Sequence, residues 1–240
     1  MSTQLPRLTH RDDGQSRQLR LVAALLMCAG LVACTAAQPP AEAPRAQAES
    51  TPLPLNGDLE AGTYVVTGFT VPFEVTVPDG WRIHDGWRLI RETTANGVFV
   101  TFLNPAYVPA DACEWSPPIP QVEPTIEGFA DALVAQTSTT TTTPSELMLG
   151  GFRGLEFDYA VESGVEDDDC RAGHICVYAE ASNDCARWYI HVTERETYRV
   201  IDLSGERAVL SVGQYRDKVD PALVEEARAV FDSIVFTPGE

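Results

Sequence analysis

All four Trp, all seven Tyr and all nine Phe of this 240-residue chain lie after Asn56. A hydrophobic core therefore has its material in residues 57–240, which the pattern assigns to one domain. Strand signals dominate there. Val71, Phe73, Val75 and Val77 alternate with Pro72, Glu74 and Thr76 and stop at the turn Pro78-Asp79-Gly80; Pro72, lacking an N–H, is expected to put this strand at an edge. Val98–Leu103 is apolar on both faces and reads as a central strand. Further strands are expected over 87–91, 155–161, 175–181, 186–192, 198–203 and 207–212, with Ser204-Gly205 as a two-residue hairpin turn, and a short last one over 233–236. Two helical stripes interrupt them. Ile126, Phe129, Ala130, Leu133 and Val134 follow the cap residue Thr125, and Leu223, Val224, Ala227, Val230 and Phe231 follow Asp220-Pro221. The pattern predicts an α+β fold: a mostly antiparallel sheet with two helices packed on one face.

The leader has a different character. Arg7, Arg11, Arg17 and Arg20 precede an uncharged apolar run over 21–33 that is too short to span a bilayer, so residues 1–33 read as a secretory signal peptide. The run closes on Leu31-Val32-Ala33-Cys34, which resembles the lipobox of bacterial lipoproteins; the resemblance implies that Cys34 is lipidated, carrying diacylglycerol and a palmitate-type acyl chain, and becomes the mature amino terminus. Two or more chains give stable anchoring at about 0.8 kcal/mol per buried methylene. Residues 34–56, with prolines at 39, 40, 44, 52 and 54, read as a disordered stalk reaching up to about 60 Å from the bilayer. Beyond Ala33 the chain has 13 basic and 33 acidic side chains, a net of −20, with Lys218 as its single lysine. That excess opposes nucleic acid and anionic lipid as electrostatic partners.

Four stretches, TYVVTGFTVPFEVTVPDGW, GGFRGLEFDY, YRVIDLSGERAVLSV and ALVEEARAVFDSIVF, resemble exported bacterial lipoproteins of uncharacterised function whose domain is similar to the PsbP-like α+β fold. The resemblance spans residues 60–237. It rests on turns and core positions and implies no catalytic residue, and the insertion between Ser163 and Arg187 has no counterpart in it.

No GxSxG elbow, HExxH pair or GxxxxGK[ST] phosphate loop occurs, and no cofactor is expected. GGFRG over 150–154 is a turn with Gly150 at positive φ. Glu166, Asp167, Asp168 and Asp169 read as a solvated acidic loop, since consecutive carboxylates diverge and the glycine of a calcium loop is missing. The threonine-rich tract 137–143 reads as a polar loop or edge strand, with a glycosylated loop as the alternative. His191 with Asp202 or Asp158 offers a general-base pair on paper. His174 and His191 beside Cys170, Cys176 and Cys185 offer a zinc cluster on paper. The loop 107–124 carries five prolines, and its Trp115 and Tyr107 are the expected ligand-facing aromatics.

An even set of cysteines in an oxidising compartment, Cys113, Cys170, Cys176 and Cys185, favours two disulfides over zinc, with three pairings open. If 175–181 and 186–192 form a regular hairpin, Cys176 and Cys185 stand about 16 Å apart at about 3.3 Å per residue, so that pairing is disfavoured and Cys113 is expected to reach Cys176 or Cys185. The functional expectation is an extracytoplasmic lipoprotein, anchored to the membrane through Cys34, that acts as a non-catalytic binding or scaffolding module. Its partner would be an envelope protein or a small ligand, with no role for nucleic acid. The alternative is an envelope enzyme, such as a hydrolase, whose titratable groups would converge with displaced pKa values in a pocket.

Overall fold

The computed structural model describes residues 50–92 and 96–237. Cys34 and the signal segment lie outside them. In chain order the elements are β1 (Thr51–Pro52), β2 (Gly57–Asp58), β3 (Gly62–Val66), β4 (Phe73–Val77), β5 (Trp81–His84), β6 (Arg88–Arg91), β7 (Val98–Leu103), α1 (Ile126–Ala135), β8 (Thr139–Thr141), β9 (Ser145–Leu149), β10 (Phe152–Val161), β11 (Ile175–Tyr178), β12 (Arg187–Tyr189), β13 (Arg195–Asp202), β14 (Arg207–Gln214), α2 (Pro221–Asp232) and β15 (Val235–Phe236).

A nine-stranded sheet runs β2-β5-β6-β7-β14-β13-β10-β8, with β9 also paired to β10. A four-stranded sheet runs β1-β3-β4-β15, and β11 pairs with β12 alone. The pairings are antiparallel apart from the parallel contact of β1 with β3. β7 is the central strand its composition requires, flanked by β6 and β14 with every residue buried. The Ser204-Gly205 turn closes β13 onto β14, Leu203 N–H donating to Glu206 C=O. The threonine tract supplies the edge strand β8. β4 differs from expectation: it lies between β3 and β15. Pro72 sits one residue ahead of it, where its missing N–H costs nothing and its carbonyl accepts from Thr237.

Both helices start where their caps predict. Thr125 Oγ1 accepts from Gly128 N–H at 3.0 Å, and an Asp220 carboxylate oxygen accepts from Ala222 N–H at 2.9 Å. They do not share a face. Val98, Val100, Phe102, Leu210 and Val212 point to one side of the large sheet, where they meet Ala227, Val230 and Phe231 of α2 and Phe73, Val75 and Val77 of the smaller sheet. Leu103, Val209, Val200, Leu155 and Phe157 point to the other side, towards Ile126, Phe129, Ala130 and Leu133 of α1 and towards β11. Strands apolar on both faces must be covered on both, so one helix goes to each.

Residues 51–56, expected to belong to the stalk, lie on the domain instead. β1 pairs with β3, Leu53 N–H donates to Val65 C=O, and Gly86 N–H donates to Leu55 C=O at 2.7 Å.

Candidate functional site

The insertion between β10 and β13 shares the second cover with α1 and the loop before it. The disulfides there are Cys113–Cys170, Cα atoms 4.5 Å apart, and Cys176–Cys185, 5.9 Å apart. Both differ from the expected ones, and the reason is local. The β11–β12 ladder shifts register between Cys176 and Tyr178, so Tyr178 faces Arg187. Ala179 then leaves to pair with Tyr107, and the chain reverses through a bridge from Ala181 to Asp184. A regular hairpin holds Cys185 far from Cys176; this bulged one folds it back alongside.

With all four sulfurs in disulfides, none remains as a thiolate for the zinc arrangement. His174 stacks on Trp188, ring centroids 6.0 Å apart. His191 lies past β12 and meets neither Asp202 nor Asp158: its Nε2 is 2.8 Å from an Arg216 guanidinium nitrogen and its Nδ1 is 3.8 Å from Asp167. Asp158 accepts from Thr197 Oγ1, and Asp202 from Gly205 N–H. In the acidic run, Asp167 accepts from Val192 N–H at 2.7 Å while Glu166, Asp168 and Asp169 are exposed. Among the described residues no group of three His, Cys, Asp or Glu side chains is arranged to hold a metal ion.

Between the large sheet and β11–β12 lies a buried charge cluster that composition did not announce. Arg187, Glu194 and Glu196 are 4%, 0% and 2% exposed. The Arg187 guanidinium sits between the Phe99 and Tyr189 rings, 4.7 Å from each centroid. Its Nε donates to Glu196 Oε1 at 2.7 Å, Nη2 to Glu194 Oε2 at 3.0 Å, and Nη1 to the Trp188 carbonyl at 2.6 Å. Glu194 Oε1 accepts from Ile190 N–H at 2.6 Å, which fixes the end of β12. Burial works against the Arg187 charge, but Glu196 and Glu194 outweigh it and hold its proton more tightly than usual. Burial also raises the Tyr159, Tyr178, Tyr189 and Tyr198 hydroxyls above the ordinary phenol range. Tyr159 donates to Gln136 Oε1 at 2.5 Å, whereas Glu196 Oε2 and the other three hydroxyls have no protein partner.

Two anchors hold the loops around this core. Asp111 accepts from Cys113 and Glu114 N–H, both at 2.8 Å, and from Thr137 and Ser138 hydroxyls; burial opposes its charge, yet these donors bring its carboxyl below the usual range. Arg207 donates to the Pro105, Glu123 and Thr125 carbonyls beneath the start of α1, and burial pulls it down to about 10.

The open site lies beside the charge cluster, and Arg187 belongs to the wall of the site. One cavity of about 620 Å³ is lined by Leu53, Leu55, Phe69 and Phe102, and a second of about 280 Å³ by Arg88, Trp188, Ile190 and Tyr215. Asp85, Trp87 and Glu180 line both, making one groove. Its first wall depends on the β5–β6 turn, where Asp85 and Gly86 take φ of 52° and 71°. A Cβ on Gly86 would stand 2.9 Å from Leu55 Cδ2, so glycine permits the close approach that keeps residues 53–56 on the sheet. Leu55, Trp188 and Ile190 are 72%, 43% and 38% exposed. Trp115 and Tyr107 line neither cavity. Both are partly buried against Ile119, Ala179 and the Cys176–Cys185 bridge, and the Arg171 guanidinium lies 5.1 Å over the Trp115 ring. A smaller cleft of about 270 Å³ under α2 contains Asp158, Thr197 and Arg228.

Fold and site together define an α+β domain tied by two disulfides, with an aromatic groove at one end of its main sheet. No family model matches the chain, and no curated protein matches it. Among solved structures it is similar to LpqN of Mycobacterium tuberculosis, described as involved in cell envelope biogenesis, at 14% identity and a TM-score of 0.35, over 75% of this chain and 93% of that one. It is also similar to cyanobacterial PsbP (CyanoP) from Synechocystis sp. PCC 6803, at 9% identity and a TM-score of 0.34, over 74% and 94%. Likenesses this distant assign no activity.

Proposed function

We propose that this chain is an extracytoplasmic lipoprotein, held to the membrane through lipidated Cys34, whose single domain is a non-catalytic binding module. The observation that carries the binding reading is the groove over Trp87. It presents exposed aromatic and apolar side chains from three separate parts of the chain. Tyr159, Tyr178, Tyr189 and Tyr198 line no part of this groove, whereas Tyr215, which burial also raises, stands in its wall, so the binding reading rests on the apolar and aromatic lining. The leader, the lipobox and the disulfides support the extracytoplasmic part.

Two measurements test this reading. Cys34→Ser should move the chain from the membrane fraction to the soluble fraction and abolish labelling by an alkyne fatty acid; unchanged partition removes the anchor. For the groove, envelope components recovered with the full chain should be lost with Trp188→Ala or Glu180→Lys, both exposed positions. Equal recovery with the wild type and both variants rules the groove out.

A further inference from the structure

The 280 Å³ end of the groove holds unlike charges that do not pair with one another. Arg88 lines it, and no carboxylate among the described residues forms an ion pair with its guanidinium, which lies 5.1 Å over the Trp87 ring. Asp85 and Glu180 line the same space; both are exposed, and neither carboxylate meets a cation. The remaining charge on the wall, Arg187, is already neutralised from behind by Glu194 and Glu196. Here Asp85 is fixed in the β5–β6 turn, its N–H donating to Asn56 Oδ1 at 3.0 Å, and Arg88 is fixed by stacking on Trp87.

The Arg88 guanidinium, unpaired in the wall of this cavity, calls for an acceptor oxygen, while the two free carboxylates at the rim call for an ammonium. Trp87, Trp188 and Ile190 supply apolar wall between them.

The geometry points to a small zwitterion as the occupant: a free α-amino acid with a bulky apolar side chain, its carboxylate towards Arg88, its ammonium towards Asp85 and Glu180, and its side chain against Trp87 and Trp188. The volume, about 280 Å³, lies just below the roughly 300–1,000 Å³ of ligand pockets and so limits the occupant to a small molecule. This assignment rests on the groove being a binding site.

The test uses the full chain in detergent with three probes: L-phenylalanine, L-phenylalanine amide and N-acetyl-L-phenylalanine. Binding is read by calorimetry and by tryptophan fluorescence. L-phenylalanine should bind about tenfold or more tightly than either blocked form, since each loses a charge-assisted hydrogen bond. Arg88→Gln should erase the preference over the amide. Asp85→Asn with Glu180→Gln, both exposed, should erase the preference over the N-acetyl form. An amide that binds as well as the acid overturns the carboxylate half, and an N-acetyl form that binds as well makes the occupant a peptide carboxy terminus and overturns the free amino acid. If no probe binds, the assignment fails. The groove itself survives that failure when Trp188→Ala and Glu180→Lys still lose the envelope component, and falls with it when they do not.

Discussion

The two faces of the large sheet are covered by different means. The α2 face is closed by α2 and a second sheet, through side chains that are almost all apolar, and its cluster contains no fully buried tyrosine. The α1 face is closed by α1, a proline-rich loop and a bulged hairpin stapled by both disulfides, and buries an arginine, two glutamates and four tyrosines. Regular elements can cover a sheet with apolar stripes alone. Irregular chain brings polar backbone and side chains inward, and these must find partners or be held by covalent links.

The largest way to break this contrast is alkaline pH. Burial raises the Tyr159, Tyr178, Tyr189 and Tyr198 hydroxyls in the folded state above their unfolded value of about 10. Their contribution is therefore fully present below pH about 10 and is lost as pH rises beyond it, because the unfolded chain releases protons that the folded chain keeps. Four such groups, at about 1.4 kcal/mol per pH unit each, give a slope of about 5 kcal/mol per unit. Tyrosinate absorbance and circular dichroism should change together, and Tyr198→Phe should make the slope shallower. Ionisation of these tyrosines well before the loss of ellipticity would show that the α1 face is not sealed.

Next comes Arg187. Replacing it by Met leaves Glu194 and Glu196 buried against each other and should cost about 3–5 kcal/mol in urea unfolding. Replacing all three with apolar residues should recover much of that loss, since an ion cluster in the core stabilises little over well-packed side chains. A cost below about 1 kcal/mol for Arg187→Met would mean that water reaches the cluster.

What the sequence makes legible divides along the same line. The stripes of α1 and α2, their Thr125 and Asp220 caps, the buried strand β7 and the Ser204-Gly205 turn are local patterns, each fixed by a few neighbouring residues. The assignment of helices to faces needed the whole sheet, because apolar residues on both sides of β7 say that two covers exist and not which helix supplies each. Arg187, Glu194 and Glu196 carry the signature of surface residues, and nothing within their own segments shows that a disulfide hairpin folds over them. The groove draws on residues 53–55, 85–88 and 180–190, which no spacing rule connects. Trp115 and Tyr107 sit on the proline-rich loop the sequence singles out, and their partial burial against a disulfide is a contact no spacing within that loop announces.

The smallest effect compares the two disulfides with each other. Cys113–Cys170 closes a separation of 57 residues and Cys176–Cys185 one of 9. If both act by restricting the unfolded chain, loop-closure entropy assigns about 4 kcal/mol to the first and about 2.5 kcal/mol to the second. The short one has a further task, for Cys185 lies two residues before Arg187 and its bridge sets where β12 enters the core. Replacing Cys176 and Cys185 by Ser should therefore lower stability less than replacing Cys113 and Cys170, while disturbing the groove more, because Trp188 on β12 and Ile190 just past it follow within five residues of Cys185. Urea unfolding gives the first comparison and the Trp188 fluorescence spectrum the second. Equal losses from the two double variants would show that native packing, and not loop length, decides what each bridge contributes. An unshifted Trp188 spectrum without the short bridge would show that the Arg187 cluster alone holds the hairpin in place.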